Sequence, residues 1–460
     1  MTVITDGRAA AAAPATGRRA YILRCPACGK RYQDDGVRLE CDQPHAPALL
    51  STEYPVRAFQ PAAEPGLFRY RNWLPVARIL PATPTSVSFP AEHLGRELGL
   101  ARLWVAFSGY WPERKAELET GSFKELEAWT VAARLPELPP VPVVASAGNT
   151  AAAFLRVFSQ QGQPCVVIVP ERALAGLRSA SPLSRSVRVV AVEGEYADAI
   201  ELADALAARP GFHPEGGTRN VARRDGLGTA LLAAAEAIGR LPDHYVQAVG
   251  SGAGAIAAHE AAGRLLDAGF PEAENGSSTG RPRLLLCQNR EFAPMHDAWQ
   301  AGQSTLPAEH ALRGTPADAY AQELTTRRPA WSVLGGIRQA LRQSEGALSV
   351  CGRDEAVAAQ QLFLRTEGID IEPAAGVALA CLQRAVEQGR VRREATVLLH
   401  ITGGGRHRHA TEHRLVPVRP VLRFTAEQLR QGPDAAADAV ADAYGHGPAR
   451  SGTGPSDRWR

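Results

Sequence analysis

Runs of apolar residues alternate with segments of helical periodicity along most of this chain. VPVVAS (141–146), PCVVIVP (164–170), VRVVAVEG (187–194), HYVQAV (244–249), RLLLCQN (283–289) and TVLLHI (396–401) read as short strands buried on both faces. Between them lie AEHLGRELGL (91–100), SFKELEAWTVAARL (122–135), GNTAAAFLRVFSQQG (148–162), YADAIELADALAAR (196–209) and GSGAGAIAAHEAAGRLLDAG (250–269), all with helical spacing. Ser122 is placed to cap the second of these, with Glu125 in its first turn. Strand–helix alternation predicts right-handed crossover units around buried parallel sheets, hence an α/β fold. Residues 21–59 break this rhythm and read as short β segments around turns, a small ribbon. Residues 60–90, rich in Pro and aromatics, read as an extended connector. Residues 1–20 read as a disordered leader and 432–460 as a loosely ordered tail. No repeat of solenoid period is visible.

Charge and composition then narrow the classes. The 460 residues carry 51 Lys+Arg against 48 Asp+Glu, a net charge of +3 without a block of like charges. A nucleic-acid partner recognised through a basic face is not expected. No run of 18 apolar residues occurs, so no membrane-spanning helix is expected. The Ala-rich leader lacks the apolar core of a signal peptide; a mitochondrial presequence is the alternative. The seven Cys are odd in number and four of them lie in apolar runs, which fits a reducing cytoplasm rather than a disulfide framework. Only Lys30, Lys115 and Lys124 are lysines. In so Arg-biased a chain, a lysine in a special setting points to what a guanidinium cannot do: lose its proton and form an imine.

Five segments carry candidate chemistry. Lys124 opens a helix between Phe123 and Leu126, a setting that disfavours its charged form; a surface lysine in a first turn is the plain alternative. Ser146-Ala147-Gly148-Asn149-Thr150 ends a strand and opens a helix, either holding a carboxylate or ring oxygen or simply capping that helix. Gly250-Ser251-Gly252-Ala253-Gly254 follows a strand and precedes a helix, either a phosphate cradle or a tight packing turn. Thr402 at a strand end precedes Gly403-Gly404-Gly405, where a hydroxyl faces a ligand or the glycines merely turn the chain. Cys25 and Cys28 have zinc-knuckle spacing, with Cys41 and His45 (or Asp42) to complete a site; a ribbon without metal is the alternative. Arg114 and Lys115 in one loop, and Arg219 and Arg223 in another, are candidates to clamp an anionic substrate group.

The order of these motifs resembles pyridoxal-phosphate enzymes of fold type II, the tryptophan synthase β and threonine synthase group, from about residue 70 to 425. The Cys-containing ribbon, SFKELEA and ASAGNTA narrow the likeness to the threonine synthase-like branch. GYWPER, FKELEA, PEGGTRNVARRDG, LPDHYVQAVGSGAGAIAAHEAA and PMHDAWQ are most similar to the cysteate synthase family. The resemblance implies two open α/β domains with parallel-rich sheets: a larger cofactor-binding one (60–128 and 246–431) and a smaller one (129–245). It implies a Schiff base on Lys124, Asn149 at the cofactor's 3′ oxygen, Gly250 to Gly254 around its phosphate, and Thr402 at the pyridine nitrogen. Ser146, Ala147, Gly148 and Thr150 would receive the substrate carboxylate. The implied reaction replaces the phosphate of O-phosphoserine by sulfite through an aminoacrylate, giving L-cysteate. A threonine synthase-like reaction on O-phosphohomoserine, or another nucleophile acting on phosphoserine, are the alternatives. Glu125-Leu126 after Lys124 departs from the SFKDR pattern usual in threonine synthases. The missing fourth Cys of the ribbon departs from a pattern common in the group. Enzymes of this fold commonly form homo-oligomers.

Overall fold

The computed structural model describes residues 19–445. Most of the expected leader (1–18) and the last fifteen residues of the expected tail (446–460) lie outside the described residues.

Two separate parallel-rich sheets form, as the family resemblance implies. The larger has six strands in the order Ala347–Cys351, Arg283–Asn289, His244–Ala248, Thr396–Ile401, Arg102–Phe107 and Val87–Pro90. The first five are mutually parallel, and only the edge strand Val87–Pro90 runs antiparallel. Leu284, Leu286, Val397, Leu398 and Leu399 are all buried, because helices cover both faces. The smaller sheet has five parallel strands in the order Phe212–Pro214, Val141–Ala145, Cys165–Pro170, Val187–Val192 and Leu422–Phe424. The ribbon is a three-stranded antiparallel sheet with Ile22–Arg24 at its centre, flanked by Arg31–Gln33 and Ser51–Glu53. Its own core (Tyr21, Leu23, Cys25, Tyr32 and Leu50) closes against Val221.

Helices Lys124–Arg134, Val221–Ile238 and Ala253–Asp267 lie between the two sheets and pack on one another in that order. Gly226 allows the closest approach. A Cβ there would meet Thr130 Oγ1 at 2.4 Å and the Leu126 carbonyl at 2.6 Å. The helix carrying Lys124 is therefore gripped along its length rather than laid on a surface.

Two boundary expectations change. The proposed division at 128/129 falls inside the continuous helix Lys124–Arg134. Residues past about 416 do not stay with the larger unit, and the described part of the expected tail, 432–445, is not loose. Leu422–Phe424 adds an edge strand to the smaller sheet, and Pro433–Ala443 forms a helix on the same unit. Ala436, Ala437, Val440 and Ala441 of that helix pack in one core with Ala199, Leu202 and Leu206 of helix Tyr196–Ala207. A stripe of alanines is a weak apolar signal in sequence. It becomes a good packing face once a second helix is there to approach it closely.

Candidate active site

Backbone pairing brings the distant motifs together. Phe123 N donates to the Thr402 carbonyl at 2.9 Å, and Ser122 bridges to Gly403, so the Lys124 turn and the Thr402 strand end are joined directly. They open on a cleft of about 1740 Å³ lined also by residues 145–150 of the smaller unit and Val249 to Gly254 of the larger. The Lys124 side chain is largely buried and lies over the Phe123 ring, 4.8 Å from its centroid. It is the single lysine among the residues lining the cleft.

The Gly-rich loop opens helix Ala253–Asp267 with Gly252 at φ 83°. A Cβ on Gly252 would come within 1.6 Å of Ile337 Cδ1, and one on Gly254 within 2.5 Å of Gln247 Nε2. These contacts support the tight-turn reading of this loop. Its glycines are needed for packing, and the same tightness presents the unpaired N–H groups of a helix start to the cleft. In the facing loop, Ser146 Oγ accepts from Gly148 N at 3.3 Å and Ala151 N at 3.1 Å, so its hydroxyl serves the loop's own backbone. Thr150 Oγ1 donates to Glu127 Oε1 at 3.1 Å.

Three residues central to the site were not among the candidate site residues. Glu372 accepts from Thr402 Oγ1 at 2.7 Å with one carboxylate oxygen and from Asn149 Nδ2 at 2.8 Å with the other. It thus ties together two candidates 253 positions apart (402 minus 149). Arg406 reaches Asn149 Oδ1 and lies 3.4 Å from Glu372 Oε2. Its stem crosses Gly121, where φ is 67° and a Cβ would lie 2.7 Å from Arg406 Cγ. As the first charge after Thr-Gly-Gly-Gly, Arg406 had a sequence cue; Glu372 had none. Glu127 reads as part of a polar helix face but is fully buried. Nearby, burial and then the negative charge of Glu372 push the Glu323 carboxyl up to about 7. Burial pushes His400 down to about 3; its Nε2 pairs with Ser108 Oγ at 2.9 Å and its Nδ1 with Tyr245 Oη at 2.7 Å.

The four cations proposed for substrate binding separate. Arg114 and Lys115 do not line the cleft. They occupy the turn between the paired strands Tyr110–Trp111 and Ala116–Glu117, and the Arg114 guanidinium stacks on Phe89 and Trp111 instead. Arg219 lines the cleft and pairs with Glu40 of the ribbon. Arg223 lines it too, but is buried and clasped by Glu215 and Glu127. Burial alone would lower its pKa; those two carboxylates outweigh it and hold the guanidinium charged. Arg172, Arg178 and Arg406 also line the cleft and lie outside the candidate motifs.

Known proteins can be set against this geometry. The model of the family described as pyridoxal-phosphate dependent enzyme matches residues 84–403. A cysteate synthase from Methanosphaerula palustris is 46% identical over 416 residues, covering 88% of this chain and 95% of that protein. One from Methanoregula boonei is 45% identical, covering 87% and 93%. This chain belongs to the cysteate synthase family of pyridoxal-phosphate-dependent enzymes. The fold agrees with other enzymes of that cofactor class. Maize serine racemase superposes with a TM-score of 0.55 at 15% identity, over 72% of this chain and 92% of that one. Escherichia coli threonine synthase superposes with a TM-score of 0.53 at 15% identity, over 75% and 79%. For a cysteate synthase family member the donor set is chemically apt. The Lys124 amine, the helix start at Ala253, the Thr402 hydroxyl and the Asn149 carboxamide share a single cleft. These groups match in kind what an aldehyde, a phosphate, a ring nitrogen and a phenolic oxygen would require.

At the ribbon, Cys25, Cys28, Cys41 and His45 place their ligand atoms within 4.8 Å of one another. Cys25 Sγ is 3.2 Å from His45 Nε2, and the Cys28 and Cys41 sulfurs are 3.6 Å apart. His45 Nδ1 lies 2.7 Å from the Ala46 carbonyl, which leaves Nε2 as the ligand atom. Asp42, the other candidate, is taken up by Lys30 and Tyr32.

Proposed function

We propose that this protein makes L-cysteate by replacing the phosphate of O-phospho-L-serine with sulfite. The observation that carries the reading is the convergence of Lys124, the Gly-rich helix start, Asn149 and Thr402 on one cleft. It occurs in a chain aligned over 95% of a protein named cysteate synthase.

In this reading Lys124 holds the cofactor covalently. The N–H groups at the start of helix Ala253–Asp267 hold the cofactor phosphate, with helix polarity favouring its charge. Asn149, with one amide N–H on Glu372, would give its other to the 3′ oxygen, and Thr402 would exchange its hydrogen bond to Glu372 for one from its uncharged hydroxyl to the ring nitrogen. Bound pyridoxal phosphate supplies the electron sink for negative charge at the substrate α-carbon. The loop 146–150 receives the α-carboxylate through backbone N–H groups and the Ser146 hydroxyl, whose oxygen accepts from Gly148 N and Ala151 N while its O–H can donate to the carboxylate. The Lys124 amine, released by substrate, takes the α-proton. The C–O bond at Cβ breaks with its electron pair leaving on phosphate. A sulfur lone pair of sulfite then forms the new C–S bond, and Lys124 returns the proton to Cα. A dianionic leaving group and an anionic nucleophile call for cations. Arg406, Arg178 and Arg172 line the cleft and replace Arg114 and Lys115 in that role. All seven thiols are free, which suits a reducing cytoplasm.

The test is product analysis with O-phosphoserine, with and without sulfite, and with O-phosphohomoserine in parallel. Cysteate is expected only from phosphoserine with sulfite. Threonine from phosphohomoserine, or phosphate and pyruvate with no cysteate, would overturn the assignment.

We also infer that the ribbon holds one zinc ion through Cys25, Cys28, Cys41 and His45. The spacing of those four atoms suits a closed tetrahedral site with Zn–S bonds near 2.3 Å. Metal analysis of protein purified without chelator is expected to give about one zinc per chain, falling to near none in Cys28→Ser/Cys41→Ser. Less than about a tenth of an equivalent in the wild type would refute it.

A further inference from the structure

Glu127 is a fully buried carboxylate that the reaction as derived does not use. One helical turn after Lys124, its Oε2 lies 3.4 Å from Lys124 Nζ. Its Oε1 accepts from Arg223 Nη1 at 2.7 Å and from Thr150 Oγ1 at 3.1 Å. Glu215 clasps the rest of the Arg223 guanidinium through Nε, at 3.1 Å, and through Nη2. Tyr196 faces the Arg223–Glu215 pair. Lys124, Arg223, Glu127 and Glu215 thus form a quartet of two cations and two carboxylates, contributed by the Lys124 helix, helix Val221–Ile238 and the loop before it.

We propose that Glu127 is a positioning residue that docks the freed Lys124 amine and holds its ammonium form between removal and return of the α-proton. This rests on the reading of Lys124 as the cofactor lysine. During the reaction Lys124 has two stations. At one it is bonded to the cofactor. At the other it is free, carries the substrate's proton and needs a counter-charge in a wall with little water. Glu127 stands at the second station. A buried carboxylate with no other partner would hold the ammonium too firmly for the amine to re-form its bond to the cofactor. Arg223 and Thr150 prevent this. They occupy one carboxylate oxygen, and the positive charge of Arg223 opposes that of Lys124. The contact to Lys124 is accordingly the longer of the two, 3.4 Å against 2.7 Å. The proton balance is closed: it moves from Cα to Nζ and back to Cα, and nothing is oxidised or reduced.

The scarcity of lysine makes this testable directly. Reductive methylation of the full-length, cofactor-free protein with ¹³C-formaldehyde labels three lysines and the N-terminal amine. The Lys124 resonance is the one absent from Lys124→Arg. In Glu127→Gln that resonance is expected to titrate at least about one pH unit below the wild type. In Arg223→Gln it is expected to titrate above the wild type, because the carboxylate is then left to Lys124. Glu127→Asp restores the charge and is expected to move the titration back toward the wild-type value. Opposite shifts from the first two variants are the signature, since disruption of packing would move both the same way. Shifts in one direction, or a Glu127→Gln resonance within a few tenths of the wild type, overturn the proposal. Failure of the underlying reading shows separately, as borohydride reduction of the holoenzyme leaving no cofactor on the Lys124 peptide.

Discussion

Lys124→Ala is expected to abolish covalent attachment of the cofactor and to lower phosphoserine turnover by at least about 10³-fold. General-base contributions alone account for about 10²–10⁴. The visible absorbance of the holoenzyme is expected to shift, and borohydride to leave no cofactor on the protein after dialysis. The reason is chemical and positional. Lys124 is one of three lysines and the only one on the cleft wall. It alone there can give up its proton and form an imine, because a guanidinium cannot. Lys124→Arg therefore makes the sharper control. It keeps a cation beside Glu127, and with it the local charge balance, yet cannot bond to the cofactor. It is expected to be as inactive as the alanine variant while unfolding at a urea concentration closer to that of the wild type. Turnover of Lys124→Arg within about tenfold of the wild type would remove Lys124 from the chemistry.

Asp34→Ala is expected to cost about 3–5 kcal/mol of stability, the range for breaking a buried ion pair from one side. Asp34 belongs to the ribbon and Arg134 ends the helix that begins at Lys124. Both side chains are essentially inaccessible to water. Arg134 Nε donates to Asp34 Oδ2 at 2.9 Å and its Nη2 to Oδ1 at 2.7 Å. Tyr21 Oη adds a third donor at 2.6 Å. Removing the carboxylate leaves the guanidinium only Asn220 and the Arg38 carbonyl. The pH dependence has a definite sign. Burial on its own would raise the Asp34 pKa, but hydrogen bonds and charge from Arg134 outweigh it, and the folded value is depressed. Such a group stabilises the fold above its unfolded pKa of about 3.9, and that contribution is lost as pH falls through the folded value. The wild type and Asp34→Ala should therefore differ fully in urea midpoint at pH 7 and converge in strong acid. A difference below about 1 kcal/mol at pH 7 would show that the ribbon is not anchored through this pair.

Much of the site was legible because its motifs are local. A lysine at a helix start, a glycine with φ near 83° before a second helix and a threonine at a strand end each need only a few consecutive residues to set their backbone. The buried parallel α/β character was legible for a related reason, while the division into two sheets came from the family resemblance. Strands covered on both faces must be apolar throughout, and crossover helices must be apolar on at least one side.

What the sequence left undecided lies in contacts through space. Nothing near Glu372 distinguishes it from other glutamates before a helix. It becomes central because strand Thr396–Ile401 and helix Asn149–Gln160, from different sheets, present Thr402 and Asn149 to one carboxylate. Arg114 and Arg223 looked equivalent as loop cations. One is stacked on aromatic rings and the other locked between two buried glutamates. Glu127 sits where helical periodicity expects solvent, and only the arrival of Arg223 and Thr150 makes its burial affordable. The C-terminal alanine stripe gained meaning from the helix it met. Sequence by itself determined the local backbone conformations and singled out Lys124 as a candidate, because those depend on neighbours in the chain. Tertiary structure decided which charges meet, because a charge buried away from water is tolerated only beside a partner. Those partners are set by how the sheets and helices pack.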